Sequence, residues 1–318
     1  MKTEHHFRTV RRWRWRSEGI GLSGEPWVVA FAPHHLRMAI GDAEGNLVLG
    51  DLSANNPTFW RQTFRDLWIS TVAFSPDAKL VAVGALEGFA YMMDFQGFQI
   101  YTIPTRLTSV TALSFSQDGS LLALAGGASF VEVWDMKSQV VRFTGTAGIP
   151  NPNSVAFSPN GSLLAAGGGE GSRENAEVGI LDVASNRLVA CLEMSDLCVD
   201  ALGFDLAGRR LSCGCYKKVY VWDIERLQQT HEFPSAGWSR GVYFATDTQL
   251  INIDEEGELC LWDLESQRSR CLSLGGPVLG GQFDIDRHSF WVAYKSDAEG
   301  WVIDVKQFKL LAKDIRRT

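Results

Sequence analysis

Long apolar runs are missing from this chain of 318 residues. No stretch of 18 consecutive apolar residues occurs, so the sequence indicates no transmembrane helix. Proline is scarce, with 10 residues, and the 31 glycines follow no short period, which excludes collagen-like and low-complexity structures. No apolar segment follows the basic residues 1–16, so we expect no secretory signal. With 45% hydrophobic residues, the chain can form a large core.

Cysteine is absent from residues 1–190, and all six cysteines lie further on. Because no export signal is evident, we expect reduced thiols and a cytoplasmic location. Cys213 and Cys215 would share one face of a strand. A structural zinc site needs four ligands, and the sequence has no second CxC or CxxC pair. We therefore interpret both as small core residues and predict neither a metal site nor a cofactor.

Catalytic motifs are also missing. The sequence contains no GxSxG and no HExxH motif. Residues 19–24 match GxGxxG, but a strand-like segment follows them, whereas a dinucleotide site requires a helix there. These absences favour a protein that is not an enzyme.

A repeat dominates what is present. A phenylalanine that closes a short apolar strand and opens a turn recurs at intervals of 39 to 47 residues, at Phe31, Phe74, Phe115, Phe157, Phe204, Phe244 and Phe283. About 20 residues after each phenylalanine, an aspartate ends another apolar strand, at Asp51, Asp94, Asp135, Asp182, Asp223, Asp263 and Asp304. Turn residues every 8 to 12 positions divide each unit into four short strands, which predicts an all-β fold.

Trp-Asp ends the third strand of three units, at Trp134, Trp222 and Trp262. With its period and its FSPDG-like turns, the chain resembles the WD40 repeat family over residues 27–318. The resemblance implies a seven-bladed β-propeller with four-stranded antiparallel blades, because a closed ring of sheets buries faces that one sheet cannot bury. We predict a single propeller over residues 23–318, preceded by a basic arm or extra strand over residues 1–22.

Part of the family pattern is absent. WD40 repeats often carry Gly-His before the phenylalanine and Ser or Thr in the second strand, which join a buried hydrogen-bond network with the tryptophan. This chain has no Gly-His, and its second strands carry mostly Ala, Val, Leu and Gly. We therefore expect the blades to pack through apolar contacts. We expect the seven aspartates to cap the turn after the third strand.

The residues four and six positions before each phenylalanine begin the innermost strand, and we expect them to surround the mouth of the channel. Aromatic residues and arginine are common anchors of protein interfaces. The candidate partner-binding residues from these positions are Trp27, Trp68, Trp238, Arg240, Asp200 and Asn153. Trp68 and Trp238 stand where the family often has tryptophan, so a packing role is the alternative for both.

Both ends of the chain are basic, although the overall net charge is −7. The candidate basic patch comprises Arg12, Arg14, Arg16, Lys309 and Lys313. The alternation Arg12-Trp13-Arg14-Trp15-Arg16 is typical of an added strand with both tryptophans on one face, or of a surface for nucleic acid or anionic lipid. We expect the segment Phe308–Ile315 to form the fourth strand of the last blade, with the N-terminal segment Phe7–Trp15 outside it or across the blade.

These features favour a non-enzymatic scaffold or adaptor that binds one or more partner proteins through the loops of its faces and its channel rim. Ligand sensing or catalysis in the central channel is the first alternative. Binding of nucleic acid or anionic lipid by the basic termini is the second, and an acidic partner surface would also suit them. No small-molecule substrate is indicated.

Overall fold

The computed structural model describes residues 7–32, 34–169, 176–284, 289–295 and 302–310. Its secondary structure begins with strand β1 (Phe7–Arg16) and one helical turn, α1 (Ser17–Ile20). The strands that follow form a ring of seven antiparallel sheets, in which neighbouring strands along the chain are neighbours in the sheet. Among the described residues, no helix has the length and apolar character that a membrane crossing requires.

The first three blades cover residues 26–146. Blade one contains β2 (Pro26–Phe31), β3 (Arg37–Asp42), β4 (Asn46–Asp51) and β5 (Thr58–Thr63). Blade two contains β6 (Ile69–Phe74), β7 (Leu80–Ala85), β8 (Ala90–Asp94) and β9 (Gln99–Ile103). Blade three contains β10 (Val110–Phe115), β11 (Leu121–Gly126), β12 (Phe130–Asp135) and β13 (Val140–Thr146).

Blades four to six repeat this plan. Blade four contains β14 (Ser154–Phe157), β15 (Leu163–Gly168), β16 (Ala176–Asp182) and β17 (Arg187–Met194). Blade five contains β18 (Ala201–Phe204), β19 (Arg210–Gly214), β20 (Lys218–Asp223) and β21 (Gln228–Pro234). Blade six contains β22 (Ser239–Thr246), β23 (Gln249–Asp254), β24 (Glu258–Asp263) and β25 (Arg268–Ser273).

Blade seven is built from both ends of the chain. It contains β26 (Val278–Asp284), β27 (Ser289–Lys295) and β28 (Val302–Leu310), and β1 is its outermost strand. The innermost strand of each blade contacts those of the two adjacent blades, and β26 contacts β2, so the ring closes. The prediction of an all-β, seven-bladed propeller is confirmed.

The core is divided among the blade interfaces. The described residues form seven apolar clusters, one between each pair of adjacent blades. The second and third strands are almost continuously buried, because neighbouring blades cover both of their faces, whereas the outer strands are largely exposed. The indole N–H groups of Trp134, Trp222 and Trp262 are buried and have no hydrogen-bond partner among the described residues. These tryptophans therefore stabilise the ring through apolar contacts, as expected from the missing Ser, Thr and Gly-His residues.

The closure differs from the prediction. β1 pairs antiparallel with β28 from Phe7 opposite Leu310 to Arg16 opposite Val302. The proposed outer strand Phe308–Ile315 is wrong in its first part, because Phe308 to Leu310 continue the third strand of the blade, and residues 311–318 lie outside the described residues. The N-terminal strand occupies the outer edge of β28 and protects that edge from other pairing.

The two tryptophans of β1 pack on the propeller. Trp13 stacks on Trp291 with ring centroids 5.8 Å apart, and Trp15 meets Phe59 edge-on at 5.3 Å. Both tryptophans are half-buried against the cluster between blades seven and one. The alternation of the sequence thus places apolar side chains on the ring and arginines on the other face of β1.

Candidate functional site

The mouth of the central channel is formed by the start of every innermost strand. A cavity of about 320 Å³ lies there, lined by the seven residues four positions before the repeated phenylalanines, Trp27, Ser70, Thr111, Asn153, Asp200, Arg240 and Leu279. The repeat spacing alone therefore identifies one residue from each blade that faces this space. Five of the recurring phenylalanines, Phe31, Phe74, Phe115, Phe157 and Phe283, line a second cavity of about 440 Å³ at the other ends of the innermost strands.

An exposed aromatic cluster lies on the mouth face at blades one and two. The side chain of Trp27 is 46% exposed and meets Trp68 edge-on, with ring centroids 5.3 Å apart. Trp68 is half-buried, and its backbone N–H donates to the Glu87 carboxylate at 3.1 Å. Trp68 therefore packs against Trp27 and is also partly accessible at the surface.

Two further exposed apolar residues lie on this face of blade two and were missed in the sequence. The backbone N–H of the first, Leu86, donates to the Trp68 carbonyl oxygen at 3.1 Å. Leu86 and Phe89, which are 39% and 47% exposed, lie in the turn between β7 and β8. Gly88 holds this turn at φ 80°, where a Cβ would lie 2.5 Å from the Leu107 carbonyl oxygen. The turns between the second and third strands lie on the same face as the channel mouth. The apolar residues in this turn were therefore a signal in the sequence for an exposed apolar surface on that face. We call Trp27, Trp68, Leu86 and Phe89 the aromatic patch.

A half-buried aspartate lies across the mouth, at blade five. Burial raises the pKa of Asp200 to about 6, although the nearby Arg240 acts in the opposite direction. The Oδ2 atom of Asp200 is buried and has no hydrogen-bond partner among the described residues. Next to it, Asn153 donates from Nδ2 to Cys198 Sγ at 3.2 Å, and burial raises the pKa of Cys198 to about 12. Asp200 is therefore a buried acceptor at the edge of the channel.

Trp238 and Arg240 lie at the start of blade six, and both contact other side chains of the chain. Trp238 is half-buried against Tyr216, with ring centroids 4.7 Å apart. Arg240 is exposed and pairs with Glu255, with 3.2 Å between Nη2 and Oε2. These contacts within the chain satisfy Arg240, so its charge is less available than that of an unpaired arginine.

Buried aspartates at the ends of two second strands hold the loops that lead to the mouth. Asp42 accepts hydrogen bonds from the backbone N–H groups of Ser23 and Gly24, at 3.2 and 2.9 Å. Asp254 accepts one from the N–H of Ala236 at 3.1 Å. Because these loops precede Trp27 and Trp238, the two carboxylates fix the chain just before both tryptophans.

The turn aspartates lie on the opposite face. Six of the seven accept hydrogen bonds from backbone N–H groups of the following turn: Asp51, Asp94, Asp135, Asp182, Asp223 and Asp263. Asp304 differs, and the prediction of a turn cap there is wrong. It lies inside β28, because that strand continues to Leu310, and it is fully buried. No turn follows it.

Asp304 instead binds the arginines of β1. Both of its oxygens accept hydrogen bonds from the Arg12 guanidinium, at 3.0 Å each, and the Arg14 Nε lies 3.8 Å from Oδ2. The predicted basic patch is therefore divided. Its four described members are all exposed, but Arg12 and Arg14 also face Asp304. Lys313 lies outside the described residues.

The cysteines separate into two kinds. Cys213 and Cys215 are fully buried in the cluster between blades four and five. Cys260 and Cys271 form a disulfide, so the expectation of six reduced thiols is wrong for this pair. The two residues lie directly opposite each other on β24 and β25, with their Cα atoms 4.1 Å apart. The only group of three potential metal ligands among the described residues is Glu258 with these two cysteines.

The protein is a seven-bladed β-propeller in which one residue of each blade lines the mouth of a central channel. The profile of the WD40 family, described as WD domain, G-beta repeat, matches residues 97–135 and 137–172. Two matches to the repeat of this family therefore lie within a ring of seven blades.

Two relatives match parts of the chain. Small ribosomal subunit protein RACK1 of Caenorhabditis elegans is 34% identical over 73 residues, which is 23% of this chain and 22% of that protein. WD repeat-containing protein SL1-17 of Schistosoma mansoni is 31% identical over 117 residues, which is 37% of this chain and 38% of that protein. The chain thus spans well under half the length of either relative.

Proposed function

We propose that this propeller is a non-enzymatic interaction scaffold that binds a partner protein on its mouth face. The observation that carries the proposal is the aromatic patch, in which Trp27 is 46% exposed and rests on the half-buried Trp68. A rigid, exposed tryptophan loses little conformational entropy on binding and buries a large apolar area. Leu86 and Phe89 extend this area on blade two.

The relatives support the same class of function. One of them is named as a protein of the small ribosomal subunit, which makes that relative a component of a larger assembly. A scaffold role for this chain agrees with that comparison, while the identity of its partner is a separate question.

The test compares two exposed aromatic residues on opposite faces. Trp27→Ala removes the centre of the aromatic patch, whereas Phe98→Ala removes a 68% exposed ring in the turn after β8, on the other face. Partners captured from the native host by the unaltered chain are identified by mass spectrometry and then measured against both variants. We expect Trp27→Ala to weaken binding at least about tenfold. Phe98→Ala retains binding.

Stability must be measured on the same samples. Since Trp27 is half exposed, its replacement is expected to change the melting temperature little. A fall in melting temperature with no loss of binding per folded molecule would identify Trp27 as a structural residue and contradict the proposal. Equal losses of binding in both variants would place the interface elsewhere.

A second use of the mouth is favoured by Asp200. Asp200 lines the channel mouth, and its buried Oδ2 has no hydrogen-bond partner among the described residues, so a cationic group of a ligand or partner could bring the missing donor. Asp200→Asn should then weaken binding of that cationic group without reducing stability. The alternative at the basic termini has less support, because Arg12 and Arg14 already face Asp304.

A further inference from the structure

The edge of blade six carries a group of three side chains that the binding face does not use. Cys260 on β24 and Cys271 on the outermost strand β25 are opposite each other and joined by a disulfide. Glu258 lies two residues before Cys260 and therefore on the same face of β24. One carboxylate oxygen of Glu258 and the two sulfur atoms all lie within 4.8 Å of one another. Cys271 is exposed and Cys260 is buried, so the group opens to solvent on one side.

We propose that, once the disulfide is reduced, Cys260, Cys271 and Glu258 form a binding site for Zn²⁺ at the outer edge of blade six. Thiolate and carboxylate are ligands that zinc accepts in tetrahedral geometry, with Zn–S bonds of about 2.3 Å and Zn–O bonds of about 2.0–2.2 Å. Such bonds place two sulfur ligands about 3.8 Å apart. The three ligand atoms already lie within 4.8 Å of one another, and reduction lets the two bonded sulfurs separate to the distance that zinc requires.

Reduction of the disulfide and binding of zinc are two separate steps. A thiol reductant donates two electrons and becomes a disulfide, while the Cys260–Cys271 bond breaks and each sulfur gains one proton. Zinc then binds the two thiolates and displaces those two protons. Water completes the fourth position on the exposed side. The same pair of sulfurs is thus either a covalent cross-link between β24 and β25 or a metal site, and bound zinc protects it from oxidation.

Local strand pairing explains why this pair is suited to the role. In blades two to five, a register shift interrupts the pairing of the third and fourth strands. In blade six, the pairing is continuous from Glu258 opposite Ser273 to Asp263 opposite Arg268. Cys260 and Cys271 therefore face each other without an intervening bulge, and the strands hold their sulfurs together in either state.

The other cysteines provide the contrast. Cys191 is also exposed on an outer strand, and burial, followed by the charges of Glu177 and Glu193, raises its pKa. It has acidic neighbours but Gly179, rather than a second thiol, opposite it. Cys213 and Cys215 are buried, and burial raises the pKa of both thiols, which disfavours the thiolate that a metal needs. Only the pair in blade six combines two thiols, a carboxylate and access from solvent among the described residues.

The experiment uses Co²⁺ as a spectroscopic probe for zinc. The full chain is reduced with a phosphine, freed of reductant without air and titrated with Co²⁺, and thiolate-to-cobalt charge-transfer absorption in the near ultraviolet reports binding. We expect one Co²⁺ per chain, displaced by Zn²⁺, and no such absorption from the oxidised chain. Cys271→Ser should weaken binding by more than about tenfold, and Glu258→Gln should weaken it while the charge-transfer band remains.

Cys191→Ser is the matched control, because it removes an exposed outer-strand thiol beside two carboxylates and should leave binding unchanged. Melting temperatures verify that each variant is folded. Glu258→Gln tests the site even if the Cys271→Ser variant is unstable. Absence of the charge-transfer band from the reduced chain would overturn the proposal. It would also be overturned if the band survived Cys271→Ser or appeared equally in the oxidised chain.

Discussion

The seam in blade seven, where β1 pairs with β28, holds the buried Asp304, and the mouth of the channel holds the half-buried Asp200. The two carboxylates have opposite surroundings. At the seam, Asp304 receives two hydrogen bonds from Arg12, which β1 brings from the other end of the chain. At the mouth, Asp200 keeps one buried oxygen without a partner among the described residues, and burial raises its pKa to about 6. Where the chain supplies the countercharge, the carboxylate stabilises the fold. At Asp200, burial outweighs the attraction of Arg240, so the ionised carboxylate costs stability, which is typical of binding sites.

Deletion of residues 1–16 should have the largest effect on stability, and it acts at the seam and not at the mouth. It removes β1, so that β28 becomes an open edge, Asp304 loses Arg12, and Trp291 loses the Trp13 ring. We expect aggregation, or a fall in melting temperature of more than about 10 °C, measured by scanning calorimetry and size-exclusion chromatography. Deletion of residues 1–6 leaves β1 whole and is the control. A soluble monomer with an unchanged melting temperature would show that β1 is dispensable for closure.

Arg12→Ala tests the charge pair without removing the strand. It removes the two hydrogen bonds that Arg12 donates to the fully buried Asp304, while Arg14 remains 3.8 Å away. Since the Arg12 side chain is 51% exposed, water screens part of the interaction, and we expect a loss of about 2 kcal/mol in the free energy of unfolding. Arg16→Ala, at an exposed position of the same strand, should change it by less than about 0.5 kcal/mol. If urea denaturation gave equal losses for Arg12→Ala and Arg16→Ala, the net charge of β1, rather than the Arg12–Asp304 pair, would determine stability.

The repeat predicted most of the ring, because each blade is built from local hairpins whose turn residues are visible in the sequence. The same register placed Trp27, Asp200 and Arg240 at the channel. It failed at Asp304, because whether a strand ends or continues there depends on pairing with a segment almost 300 residues away. Opposite charges on the two segments, in Arg12 and Asp304, were the available signal.

Two other features depended on contacts between strands that no local pattern reports. Leu86 and Phe89 lie in a turn of blade two on the mouth face, where the Leu86 N–H donates to the Trp68 carbonyl oxygen. The disulfide requires Cys260 and Cys271 to be directly opposite, and the bulges in other blades show that the same spacing gives another register elsewhere. Hairpin geometry was predictable from the sequence, whereas these pairings depend on packing between strands and blades.

Asp200→Asn should change the free energy of unfolding less than Arg12→Ala does, and it should raise it rather than lower it. A carboxyl group whose pKa is raised in the folded state binds its proton more tightly when folded, so wild-type stability falls as the pH rises from about 4 to about 6. The variant lacks this titration and should be more stable than the wild type by about 1–2 kcal/mol at pH 7, with the difference vanishing near pH 4. Urea denaturation across this range measures it. A variant that is less stable at pH 7 would show that the chain, after all, satisfies the Asp200 charge.

Asp135→Ala should have the smallest effect and sharpens the comparison with Asp304, which stands at the same point of the repeat. Asp135 caps its turn through the backbone N–H groups of Lys137 and Ser138, at 3.0 and 2.8 Å, and these groups can turn to water when the carboxylate is lost. We expect the melting temperature to fall by no more than about 2–4 °C. The hydrogen bonds from Ser138 lower the pKa of Asp135, so its contribution is present above the unfolded carboxyl pKa of about 4 and is lost as the pH falls through the lower folded value. The melting temperatures of wild type and variant should therefore converge in acid, while Asp135→Asn, which keeps an acceptor oxygen, should remain close to wild type at pH 7. A loss as large as that of Arg12→Ala would mean that the turn caps, and not the seam alone, decide whether the ring stays closed.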